Sequence, residues 1–391
     1  MLPVAALAPF VMLATTVAAD PNAIPNSPVS LPITKQINPA GTFHPSQRDQ
    51  KRWMNLLNGG QRSTSETTDV PLTDSVISYT VNVGVGDPAI FYNLIIDTGS
   101  ANTWVGANKP YKKTKTSVET DDFVNVTYGT AFIYGPEYKD TVTIAPGVDI
   151  RQSIGVASNS FGIYPFDGIL GIGPNDLTLG TLSPDRTSVI PTVPTTQDSA
   201  INGELTFGGT DSTKYTGHIT YFPITKTFPS SRYWGVDACF RYGNAQGKKA
   251  TVTILDTTAG VIDTGTTLIG LATDAYKRYV DVTGAVYDEK ADLLRITPAQ
   301  YKNLQSLFFV ISDRQYELNA NAQIWPRALD SAEGGEKNSI YLVVFDLGSL
   351  LPLNLGFIAG MPFLERYYSV FDADHSRVGF ATTPFTYADI N

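Results

Sequence analysis

Two acidic residues, Asp97 and Asp263, sit in near-copies of one short motif. The first copy reads "NLIIDTGSANTWVGA" over residues 93–107, and the second reads "GVIDTGTTLIGLA" over 260–272. In each, a pair of apolar residues leads into Asp-Thr-Gly, and a hydroxyl residue follows. Taken alone, Asp-Thr-Gly is ordinary turn chemistry. Repeated 166 residues apart, it is too widely spaced for a solenoid and suits one copy per lobe of a two-lobed protein. Two lobes would bring the carboxylates face to face. At about 3 Å apart, two carboxylates do not both ionise cheaply, so they share a proton and titrate as a pair. Such a pair can take a proton from water and deliver one to a leaving group, which is general acid–base chemistry.

The elements that must position these acids read as strands. The chain has 391 residues, of which 42% are hydrophobic and 11% aromatic, enough for two cores. Only 17% are charged, against 33 Gly and 25 Pro, and this balance with frequent Thr, Val, Tyr and Phe favours an all-β fold. "ISYTVNV" (77–83), "KDTVTIAPGVDI" (139–150), "GELTFGG" (203–209) and "YYSVFDADHSRVGFA" (367–381) look like strands and hairpins. The best helical patterns are "ATDAYKRYVDVTGA" (272–285) and "TPAQYKNLQSLF" (297–308), the latter with Thr297 and Pro298 suited to its start. A single cysteine, Cys239, excludes an internal disulfide and reads as a small buried hydrophobe. His44, His218 and His375 lack metal-site spacing and read as structural.

The N-terminus is a different material. Residues 1–19, "MLPVAALAPFVMLATTVAA", form an apolar run read as a secretory signal cleaved near Ala19, although a basic n-region is missing. A membrane anchor fits less well, because Pro3, Pro9 and two threonines interrupt the run. Residues 1–65 carry five Lys and Arg against two Asp, and the remainder carries 23 basic against 35 acidic residues. Residues 20–65 can therefore sit electrostatically on an acidic body and leave it as carboxylates protonate, the behaviour of an acid-activated propeptide; a solvated linker is the alternative. The acidic body argues against nucleic-acid binding. Lys51-Arg52 reads either as a processing site or as a basic pair of the propeptide. Asn125-Val126-Thr127 is a glycosylation sequon.

With these motifs in order, the chain resembles the pepsin-like aspartic peptidases, most of all the polyporopepsin-type enzymes of wood-rotting basidiomycetes, from about residue 66 to the end. "DGILGIG" (167–173) and "GFIAGMPF" (356–363) resemble the segments that thread beneath the catalytic loops, with Gly171 and Gly360 as the matching glycines. "VTYGTAFIYG" (126–135) resembles the flap hairpin, with Tyr128 as its tyrosine and Gly129 and Thr130 at its tip. The resemblance implies a bilobed fold, with lobes at 66–210 and 211–391 and a cleft between them. It implies that Asp97 and Asp263 activate a water, that Thr98 and Thr264 brace the opposite loops, and that Ser100 and Thr266 donate to the outer carboxylate oxygens. Gly99 and Gly265 would let backbone approach the dyad. Trp104 would hydrogen-bond Tyr128 through its indole N–H, Thr267 would face substrate, and Ile95, Phe166 and Ile169 match positions near the primary specificity pocket, which implies large apolar residues around the cleaved bond; core packing is the alternative reading of these three. The implied protein is a monomeric, secreted acid endopeptidase acting on proteins and peptides without a metal or cofactor, with its propeptide as intramolecular inhibitor and no nucleic-acid or membrane partner.

Two departures from that pattern stand out. Between 184 and 203, roughly twenty residues look absent by comparison with a strand plus a helix. The loss would leave one edge of "ELTFGG" unpaired, as in a gene product lacking a core strand. In the flap, Ala131 and Phe132 stand where glycine and a small polar residue are usual. A non-catalytic binding or inhibitor protein on the same fold is the alternative reading of function, and a carbohydrate-binding β-sandwich leaves the paired motifs unexplained.

Overall fold

The computed structural model describes residues 10–15, 29–37, 44–57, 77–128, 131–145, 148–178, 181–183, 203–244, 252–327, 339–348 and 354–389. The architecture is two sheet-rich lobes joined by strands drawn from both ends of the chain. The 184–202 segment and the flap-tip residues Gly129 and Thr130 lie outside the described residues.

One pattern builds both lobes around their acids. In the N-terminal lobe, Ile90–Asp97 runs parallel to Gly168–Gly171 with Asp97 opposite Gly171, and Trp104–Val105 pairs antiparallel to the same short strand. In the C-terminal lobe, Val252–Ile262 runs parallel to Phe357–Ala359 with Ile262 opposite Ala359, and Ile269–Ala272 pairs antiparallel to it. These short strands are buried on both faces, which explains their continuous apolar runs without polar alternation. The flap is a long hairpin of Val118–Tyr128 and Ala131–Ala145, whose first strand alternates exposed and buried residues from Asp122 to Tyr128.

Helix is sparse. Thr273–Thr283 forms as expected and ends at Gly284 in the left-handed conformation, φ 66°. The 297–308 pattern is corrected: only Pro298–Tyr301 is helical, started by a Thr297/Gln300 capping box, while Ser306–Ile311 is a fully buried strand. "SLFFVI" pairs on both sides, with Gly243 and its neighbours and with Arg314–Leu318, and that tertiary pairing overrides the helical spacing. A 13-residue helix, Pro45–Leu57, was not expected from the sequence.

The sheet between the lobes also differs from expectation. Gly203–Phe207 is not left with a bare edge. Val29–Ile37 pairs antiparallel on one side and Phe10–Thr15 pairs parallel on the other, and the latter strand continues parallel onto Tyr367–Asp372. The N-terminal apolar run thus occupies a central position in the sheet.

Candidate active site

Each Asp-Thr-Gly loop leaves a buried strand and turns back so that its acid faces the other lobe. Asp97 and Asp263 are almost fully buried. Gly99 N–H donates to Asp97 Oδ1 at 2.9 Å and Ser100 Oγ donates to its Oδ2 at 2.5 Å. The second loop repeats this: Gly265 N–H to Asp263 Oδ1 at 3.0 Å and Thr266 Oγ1 to Oδ2 at 2.6 Å. The loops are tied reciprocally, Thr98 N–H to Thr264 Oγ1 at 3.0 Å and Thr264 N–H to Thr98 Oγ1 at 2.9 Å. The two threonine hydroxyls donate onward to the Ile262 and Ile96 carbonyls of the opposite strands. A Cβ on Gly99 would lie 2.5 Å from Asp263 Oδ1, and one on Gly265 would lie 2.6 Å from Asp97 Oδ1, so only glycine permits the approach. Beneath the loops, Ile172 N–H donates to Asp97 O and Met361 N–H to Thr266 O.

The N-terminal helix enters this site. Arg52 is buried with its guanidinium between the two acids, Nη2 lying 2.7 Å from Asp97 Oδ1 and 3.4 Å from Asp263 Oδ2. Burial pushes the Asp263 carboxyl upward, the Arg52 charge opposes this and the Asp97 charge adds to it. Burial also disfavours the Arg52 cation, yet the two carboxylates hold its pKa above the ordinary arginine value. One residue on, Trp53 Nε1–H donates to Thr266 Oγ1 at 2.8 Å, and its ring lies 5.1 Å from that of Tyr233. Asp49 Oδ2 accepts from the Thr267 and Leu268 N–H groups at 2.8 and 3.0 Å, and Arg48 donates to Thr267 Oγ1 at 2.8 Å. Burial pushes the Asp49 carboxyl up to about 7 despite the pull of Arg48, the Leu268 N–H and Arg52.

Above the acids, the inner face of the flap closes an apolar cluster of Ile95, Trp104, Val124, Val126, Tyr128, Ile133, Ile163, Phe166 and Ile169, against which Leu56 of the helix packs. The indole N–H of Trp104 and the Tyr128 hydroxyl lie close enough to interact but outside bonding geometry. Trp104 and Tyr128 stack with centroids 6.5 Å apart, and neither Trp104 Nε1 nor Tyr128 Oη has a hydrogen-bond partner among the described residues. Burial pushes the phenol pKa upward, Asp97 adds to this, and the nearby Trp104 and Ser100 groups offset part of it.

The whole arrangement repeats about a two-fold relation and places two carboxyls, each with its own hydroxyl and amide donors, at one point of a cleft. The sequence profile of the eukaryotic aspartyl proteases matches residues 78–383, which contain both loops, the flap and both supporting segments. This chain belongs to the eukaryotic aspartyl proteases. The protease is 53% identical over 342 residues to polyporopepsin of Irpex lacteus, covering 82% of this chain and 99% of that one. It is 26% identical over 377 residues to pepsin A of Suncus murinus, covering 88% and 87% of the two chains. The crystal structure of the aspartic proteinase from Irpex lacteus superposes with a TM-score of 0.77 at 48% identity, covering 93% of this chain and 100% of that one. The protease is a hydrolase of peptide bonds, as those relatives are.

Two features of the protease escape a reading of motifs. Arg52 is half of the Lys51-Arg52 pair, which offers a processing reading as readily as a cleft-bound one; its place between the acids is set by the helix, whose "SQRDQKRWMNLL" is polar on average. The signal that finds it is periodicity: Asp49, Arg52, Trp53 and Leu56 fall at helical three- and four-residue spacing and form the face turned to the cleft. Asp49 carries no motif, and only the paired N–H groups of Thr267 and Leu268 reveal its role as the helix's second anchor. Among the described residues, no cluster of His, Cys, Asp or Glu is disposed to hold a metal ion, and no helix is long and apolar enough to cross a membrane.

Proposed function

We propose that this protein is a secreted endopeptidase made as an inactive precursor, active at acidic pH and cutting beside large apolar residues. The observation that carries the reading is the Arg52 guanidinium lodged between Asp97 and Asp263. While it is there, the point at which a water would be held and a scissile carbonyl bound is filled by a cation. With the helix gone, the dyad shares one proton: one carboxylate removes a proton from the attacking water, and the other acid protonates the developing oxyanion and then the leaving nitrogen. Thr98, Gly99, Ser100, Thr264, Gly265 and Thr266 hold the two acids, and Tyr128, with Gly129 and Thr130 at the flap tip, would close over the peptide. Leu56 against Ile95, Ile163, Phe166 and Ile169 supports an apolar side chain in that pocket. Thr267, bonded to Arg48 and Asp49, would be freed for substrate on the other side.

Acid is the release signal because Arg52 does not deprotonate in the working range; the carboxylates must take up the protons that break the contact. The test is to acidify the purified full-length chain to pH 3–5 and follow both its mass and its cleavage of a denatured protein, with and without pepstatin. Loss of residues up to about 60–70 together with pepstatin-sensitive cleavage is expected. A folded chain that sheds this segment and cleaves nothing would overturn the catalytic reading.

A further inference from the structure

The outer face of the flap carries a group of aromatic rings that the dyad chemistry does not use. Along Val118–Tyr128 the period of two puts Phe123, Asn125 and Thr127 on one face, away from the cleft, while Val124, Val126 and Tyr128 face inward and are buried. Tyr134 lies directly across the hairpin from Asn125 and is 47% exposed; Phe123 is 42% exposed. Their rings stack at 5.9 Å with planes 15° apart, a flat apolar platform standing in solvent beside an asparagine. The Asn125 backbone is fixed in the sheet, its N–H donating to Thr181 O at 2.8 Å, and among the described residues its exposed side chain makes no hydrogen bond. Asn125-Val126-Thr127 is the chain's single N-x-Ser/Thr sequon.

We propose that Asn125 is an N-glycosylation site and that its first sugar is seated on the Phe123–Tyr134 pair. The inference rests on the reading above that the chain enters the secretory pathway. The reaction is a glycosyl transfer from a lipid-diphosphate-linked oligosaccharide: the C1–O bond to the diphosphate breaks, the C1–Nδ2 bond to Asn125 forms, the amide loses one proton and the lipid diphosphate leaves. The extended backbone puts Asn125 and Thr127 on the same, outward face of the flap. Once attached, N-acetylglucosamine turns its C–H face onto the ring pair and removes it from water, and its bulk bridges both flap strands. Because the sugar lies on the outer face, it leaves the cleft open and restrains the hairpin whose inner face bears Tyr128.

The experiment expresses the full chain in a yeast secretory host, once with its own N-terminus and once behind a heterologous leader. The expected product carries a mass excess that peptide-N-glycosidase removes, leaving Asn125 converted to Asp, one dalton heavier. Thr127→Ala and Asn125→Gln abolish the excess, and Thr127→Ser keeps it. Removing the sugar from the wild type lowers Tm by about 2 °C, and Phe123→Ala erases that difference while keeping the modification. Secreted, folded protein with unmodified Asn125 behind the heterologous leader overturns the site. A sugar whose effect on Tm is the same in Phe123→Ala overturns the aromatic seat. Failure of secretion with the native N-terminus alone, alongside a modified product from the heterologous leader, overturns the secretion reading and supports the site.

Discussion

At the scale of single residues, two side chains of the N-terminal helix respond to acid in opposite senses. Arg52 is held between carboxylates, and removing one partner of a buried ionic contact typically costs about 3–5 kcal/mol. Arg52→Gln should therefore weaken helix docking by roughly 10²- to 10⁴-fold, and the variant should lose its leader near pH 6, where the parent stays closed; mass spectrometry of samples held across a pH series checks this. Asp49 works the other way. Its carboxyl is at about 7 when docked and returns to the ordinary 3.8 on release, so docking takes up a proton between those limits. As pH falls from about 7 towards 4, Asp49 strengthens docking by up to roughly 4 kcal/mol while the dyad is losing its charge. Asp49→Asn fixes the side chain in its uncharged state, so docking should be tighter than the parent's near pH 7 and should no longer strengthen between pH 7 and 4; leader release should begin at the same or a lower pH, and a midpoint moved to higher pH would contradict the assignment. The acids themselves were legible in the sequence because the motif is duplicated. Arg52 was not, since one basic residue next to another has several uses and only the fold selects among them.

At the scale of elements, two buried polar atoms at the flap contact, Trp104 Nε1 beneath it and Tyr128 Oη on it, have no partner among the described residues. A buried unsatisfied donor or acceptor costs about 1–3 kcal/mol, whereas a completed hydrogen bond returns about 0.5–1.5. The closed precursor therefore carries a cost that a rearranged flap over substrate would relieve. Tyr128→Phe should leave the precursor's Tm unchanged or higher and lower kcat/KM of the activated enzyme by roughly 3- to 10-fold; a precursor Tm several degrees lower would show that the hydroxyl is satisfied in the closed form. Strands were largely legible, because "ISYTVNV" and "YYSVFDADHSRVGFA" carry their own alternation and turns and match Ile77–Val85 and the hairpin of Tyr367–Asp372 with Arg377–Thr382. "TPAQYKNLQSLF" misled, since its capping box and proline are real but its apolar half is claimed by a sheet. The Pro45–Leu57 helix was hidden because its apolar residues are few and gain their meaning only against the cleft.

At the scale of the whole molecule, the sheet between the lobes has a slot one strand wide. Its walls are Gly203–Phe207 and Tyr367–Asp372, and Phe10–Thr15 fills it in parallel with both, Leu13 lying opposite Thr206 on one side and Val370 on the other. A strand paired on both sides by parallel neighbours reads as an unbroken apolar run, and "FVMLAT" has that character. The chain's own N-terminus fills this slot. Cleavage near Ala19 would detach that strand. A protein beginning at Asp20 should then expose two unpaired edges, melt several degrees below the full-length chain and associate with increasing concentration, as bare edges do. Adding a synthetic peptide of residues 8–17 should restore Tm and suppress the association, measured by scanning calorimetry and sedimentation on the same samples. An unchanged Tm on truncation would mean that another segment of the chain enters the slot once the N-terminus leaves.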